Sequence, residues 1–78
     1  MNKEIRCVRL NGHSVAITLA NTTEELVEKL IKRAKRYSDS GFKTEVKHVN
    51  SYKKVCIVFD EPNDAKSMFQ YITGIMYS

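Results

Sequence analysis

Residues 22–37, TTEELVEKLIKRAKRY, are the stretch from which the layout of the rest of the chain can be worked out. Their apolar members Leu26, Val27, Leu30, Ile31 and Ala34 recur at helical spacing, so at about 100° per residue they form a single stripe. Lys29, Lys32, Arg33 and Arg36 stand at i, i+3, i+4 and i+7 and fall on another face, roughly opposite. One side of this helix calls for burial, and the other is a basic ridge. Thr22 and Glu25 have the spacing of a capping box, in which the hydroxyl accepts from the Glu25 N–H and the carboxylate accepts from the Thr22 N–H. Glu24, Glu25 and Glu28 suit the positive end of the helix, while Lys32, Arg33, Lys35 and Arg36 suit the negative end. Gly41, after Ser38-Asp39-Ser40, is the natural stop.

An amphipathic stripe needs an apolar surface to cover it, and strand-like stretches lie on both sides. Upstream, residues 4–10 (EIRCVRL) and 14–20 (SVAITLA) flank Asn11-Gly12, a strong hairpin signal. A two-residue Asn11-Gly12 turn would set Val8 opposite Val15 and Arg6 opposite Ile17. A three-residue loop, Asn11 to His13, sets Cys7 opposite Ile17 and Ile5 opposite Leu19. The second pairing has the cleaner apolar face, Ile5, Cys7, Val15, Ile17 and Leu19, and is preferred, since a one-residue slip would invert it. Downstream, residues 42–49 and 53–60 alternate around Asn50-Ser51. Such a turn places Val46 opposite Val55, Thr44 opposite Ile57 and Phe42 opposite Phe59. Asp60-Glu61-Pro62 opens a second helix, whose buried stripe is Ala65, Met68, Phe69 and Ile72 and which Gly74 is placed to end.

The expected fold is therefore α+β, in the order β-β-α-β-β-α. Its four strands form a mainly antiparallel sheet with two helices on one face, in a single domain over residues 1–78. VAITL at 15–19 and VCIVF at 55–59 are alike, and each precedes a polar cap and an amphipathic helix. Both a ββα pseudo-repeat and simple convergence on one pattern account for this. In the preferred register the face away from the helices carries Val8, Leu10, Val49 and Val58 as a candidate protein interface. Lysines and Arg6 are interleaved with them, and an apolar patch of that kind on an open sheet marks an interaction surface.

Composition bounds the function. With 78 residues, 42% hydrophobic and 28% charged, the chain makes one small folded domain without room for an enzyme cleft of ordinary design. It has no membrane-length apolar run and no signal-peptide pattern, so a cytoplasmic, reduced protein is expected, with Cys7 and Cys56 as free thiols. Cys7, His13, His48 and Cys56 lack metal-ligand spacing, so neither metal nor cofactor is expected, nor a small-molecule substrate.

Charge is the positive signal. Residues 29–54 hold nine of the thirteen Lys and Arg against two acids, a net +7, and the remainder is −3. A field polarised in this way attracts anions, of which nucleic acid is the commonest large one. The candidate contact residues are Lys29, Lys32, Arg33 and Arg36 on the helix, with Lys43, Lys47, Lys53, Lys54 and Tyr52 on the following hairpin. The expected activity is that of a non-enzymatic regulator that engages nucleic acid, or the acidic surface of a nucleic-acid-handling protein. The alternative is a protein-binding inhibitor or adaptor of the mobile-element type, acting as a homodimer or docking through the open sheet face.

Overall fold

The computed structural model describes residues 4–20, 24–38, 41–49 and 51–77. The elements follow the expected order: β1 (Ile5–Asn11), β2 (Ser14–Ala20), α1 (Glu24–Tyr37), β3 (Phe42–Val49), β4 (Tyr52–Phe59) and α2 (Pro62–Met76). The strands form one antiparallel sheet in the order β1-β2-β4-β3, so β2 and β4 are central and β1 and β3 are the edges. Alternation on the central strands decides which face is covered. Val15, Ile17, Leu19, Val55, Ile57 and Phe59 point to one side and share a core with Val27, Leu30 and Ala34 of α1 and with Ala65, Met68 and Ile72 of α2. All of these are at most 4% exposed, and each large side chain so buried stabilises the fold by about 1.5–3 kcal/mol.

The second hairpin has the register read from the sequence, Val46 with Val55, Thr44 with Ile57 and Phe42 with Phe59. The Phe42 and Phe59 rings meet at 5.7 Å between centroids. The first hairpin does not. Its turn is Gly12-His13, which leaves Asn11 paired with Ser14, and Gly12 takes φ +60°, a conformation that glycine adopts without strain. Ile5 does oppose Leu19 as expected, but the register shifts between Ile5 and Cys7, so Arg6 is an extra residue in a β-bulge. Beyond it Val8 opposes Ile17 and Leu10 opposes Val15. The preferred pairing of Cys7 with Ile17 is therefore corrected. Val8 and Leu10 point to the helix side and Cys7 to the open side, because one added residue reverses the parity of a strand.

The pairing of β2 with β4 bears on the likeness of the two halves. An offset of 40 residues carries VAITL onto VCIVF and Ala16 onto Cys56, and Ala16 and Cys56 are themselves cross-strand partners. Val15 then pairs with Ile57 and Ile17 with Val55, so the two halves meet about a local two-fold axis through that pair.

The ends of the elements are local matters. Thr22, Asp39, Ser40 and Asn50, and with them the proposed capping box, lie outside the described residues. After α1 the Ser38 N–H donates to Ala34 O, and the Gly41 N–H, at φ +117°, donates to Ser38 Oγ at 2.8 Å. Pro62 begins α2, where a missing N–H costs nothing. Gly74 does not end it: the helix continues to Met76, and Ile75 and Met76 pack on the core. Coverage of the sheet is uneven. α2 lies across β1, β2 and β4, while α1 packs on α2 and touches β3. Thr44, Val46 and His48 on the helix side of β3 thus remain exposed, Val46 at 39%, although Val46 is the cross-strand partner of the buried Val55. Among the described residues no helix is long and apolar enough to cross a membrane.

Candidate functional site

The open face of the sheet is set out by cross-strand pairing. From β1 to β3 one row is Cys7, Thr18, Lys54 and Lys47, the next Arg9, Ala16, Cys56 and Glu45, and the next Asn11, Ser14, Val58 and Lys43. Ala20, Tyr52 and Val49 complete it at the far end. Small side chains occupy the middle, at Ser14, Ala16 and Cys56, and long ones surround them, at Arg9, Lys54, Lys47 and Tyr52. The result is a shallow depression of about 500 Å³ whose rim carries Arg9, Lys47 and Lys54 against one acid, Glu45.

Lys43, Lys47, Lys54, Tyr52, Val49 and Val58 are thus brought together as the sequence reading expected. Arg9 joins them, and that reading missed it, because only the bulge at Arg6 turns Arg9 outward. The available signal was the spacing of Ile5, Val8 and Leu10, three residues and then two, which is how an apolar strand face reads when a bulge interrupts it. Val8 and Leu10, proposed for a protein interface here, are on the other side of the sheet, with Val8 packed on the core. The open face is correspondingly more polar than expected, with Arg9 taking the place expected for Arg6 among its bases.

Two charges on this face are poorly accounted for by folding. Lys47 and Lys54 are direct cross-strand partners, and like charges so placed are destabilising. Glu45 lies 3.6 Å from Lys47, but both side chains are about two-thirds exposed, so this contact offsets little.

Lys53 is separate from the group. It opposes Leu19 and so points to the helix side, where its Nζ donates to Glu24 Oε1 at 2.9 Å. The contact ties the start of α1 to β4. The hydrogen bond from Lys53, and then its charge, hold the Glu24 carboxyl below its ordinary pKa. Lys53 therefore does not belong to the open-face group: it points to the helix side of the sheet and is paired there with Glu24 at the surface.

Lys29, Lys32, Arg33 and Arg36 do form one ridge. Together with Tyr71 of α2 they line a small hollow of about 170 Å³. The Arg33 guanidinium carbon is 4.3 Å from the centroid of the Tyr71 ring, a cation–π contact that the sequence did not disclose, and Tyr71 in turn meets Tyr37 at 6.2 Å. Arg33 therefore has a structural partner, and the other three need none beyond solvent and, for Arg36, the helix end. The ridge belongs to the helical layer and the hairpin lysines to the opposite face of the sheet, so the two do not form the continuous basic track that their sequence order suggested.

Cys7 and Cys56 are free. They share the open face, but β2 stands between them, and two strand spacings, about 9.5 Å, exceed what a disulfide spans. Among the described residues no three His, Cys, Asp or Glu side chains converge in a manner suited to a metal ion. Comparison of the chain with protein-family models, curated proteins and solved structures finds no match.

Proposed function

We propose that this protein is a non-enzymatic binding module for nucleic acid and that its contact surface is the open face of the sheet. The observation that carries the reading is the Lys47–Lys54 cross-strand pair beside Arg9 and Lys43. Beyond the exposed Glu45–Lys47 contact, folding gains little from holding these charges together, whereas a phosphate backbone laid across them relieves the repulsion. The helix ridge gives weaker support, since the helix dipole and the Arg33–Tyr71 contact already account for much of it. Tyr52, 36% exposed at one end of the depression, offers a ring on which a base can stack. A shallow face without a recognition helix favours single strands, contacted mainly through phosphate and with little sequence preference.

The test is titration of labelled single-stranded RNA, single-stranded DNA and duplex at several salt concentrations. Binding is expected to weaken with salt, with a log–log slope of about −0.7 for each single-strand phosphate contacted. Lys47→Glu with Lys54→Glu should remove it, and Tyr52→Ala should weaken it by roughly 1–3 kcal/mol while leaving the salt slope in place. Failure to bind any of the three nucleic acids at low salt rejects the reading.

A further inference from the structure

The two edges of the sheet differ. β1 is interrupted by the bulge at Arg6 and lies under α2, both of which discourage a further strand from adding to it. β3 is eight residues long, contains neither proline nor bulge, and is exposed on both faces from Lys43 to His48. The direction of its backbone groups follows from the hairpin. Val49 and Tyr52 close the turn, and the Asp60 N–H donates to Gly41 O at the other end, so the odd-numbered residues of β3 bond to β4. The N–H and C=O groups of Phe42, Thr44, Val46 and His48 point away from the sheet.

We infer that β3 is the pairing edge for a second copy of this chain, joined antiparallel about a two-fold axis through Val46. In that register Val46 meets Val46 of the other copy as a hydrogen-bonded pair, and Thr44 meets His48. On the open face Glu45 of each copy meets Lys47 of the other. All of β3 from Lys43 to Val49 is then paired, and the 39% exposed Val46 is covered. The charge pattern selects this register. Moving the axis to Glu45 opposes Glu45 with Glu45 and Lys43 with Lys47, and moving it to Lys47 opposes Lys47 with Lys47; like charges so placed are unfavourable. An axis at Thr44 again matches Lys43 with Glu45, but it leaves Lys47, His48 and Val49 without strand partners. The lysines that protect a lone edge from indiscriminate pairing thus direct it to one alignment. The outcome is an eight-stranded sheet in which the two open faces lie side by side.

Sedimentation equilibrium from micromolar to millimolar protein tests this, with circular dichroism to confirm that each variant is folded. The wild-type chain is expected to dimerise. Glu45→Lys should weaken the dimer at least tenfold, and adding Lys47→Glu to it should restore the dimer, because the pair is then reversed in sign but again complementary. Val46→Pro removes an N–H that β4 does not use and should abolish association while the fold persists. A wild-type monomer throughout the range overturns the proposal, as does a dimer that Glu45→Lys and Val46→Pro leave unchanged.

Discussion

Arg6 is the residue at which the first strand changes face. In a regular strand through Arg6, Ile5, Cys7 and Arg9 would share one side; with Arg6 bulged out of the ladder, Ile5 and Val8 both point to the core while Cys7 and Arg9 face out. The two faces can be told apart by one substitution made twice. Val8→Thr places a hydroxyl against the core and should cost about 1–3 kcal/mol in a urea melt, whereas Val58→Thr, at a site 43% exposed, should stay within about 0.5 kcal/mol. Equal losses would mean that β1 is not bulged as described. Lys53 offers a second residue-scale test, through pH. Its hydrogen bond lowers the folded-state pKa of Glu24 below the unfolded value. The contribution to stability is therefore present above the ordinary carboxylate range and is lost as pH falls through the lowered folded value. In Lys53→Met the Glu24 carboxyl should titrate at a higher pH by NMR, and this part of the acid dependence should disappear. An unmoved Glu24 titration would show that the pair does not persist in solution.

At the scale of elements, each helix is explained by what it covers. α1 has a narrow buried stripe, Val27, Leu30 and Ala34, with acid in its first turn and base in its last, so its polarity matches its dipole. α2 buries Ala65, Met68 and Ile72 and lies over most of the sheet. Gly74 is the weak point of α2. It has ordinary helical geometry with nothing within 4 Å of where a Cβ would stand, so the residue is flexible without a steric need to be. Gly74→Ala should stabilise the fold by about 0.4–1 kcal/mol and raise the melting temperature by a few degrees. A lower melting temperature would show that the last turn of α2 is not helical. β3 is the opposite case, an element whose local pattern is regular but whose helix-side residues receive little cover, because α1 packs chiefly on its companion helix.

The whole molecule is a two-layer body whose shortest dimension is 21 Å, with one basic surface in the helical layer and another on the open sheet. Their separation gives the nucleic-acid reading a clean contrast. Lys32→Glu with Arg36→Glu alters the ridge without touching the sheet, and should change affinity by less than the Lys47 and Lys54 reversals do. If the ridge reversals prove the more damaging, the contact surface is the helical layer. In this chain, charges that are neighbours in sequence need not be neighbours in space. The +7 segment is divided by the sheet, and Lys53 is removed from it altogether by Glu24.

What could be read from residue order alone was whatever depends on short-range periodicity. The helical stripes, the alternation in residues 42–49 and 53–59, and hence the order β-β-α-β-β-α and the second hairpin's register, are all local patterns. Three things were settled only in three dimensions. The spacing of Ile5, Val8 and Leu10 is compatible with a bulge, but that β1 places Ile5 and Val8 on one core is a demand set by β2 and α2. The exposure of β3 depends on where α1 lies, and the partners of Lys53 and Arg33 come from distant elements. Local propensity acts between residues a few positions apart. The face a strand buries, and the neighbour a charge meets, depend on contacts that only the packed sheet and helices create.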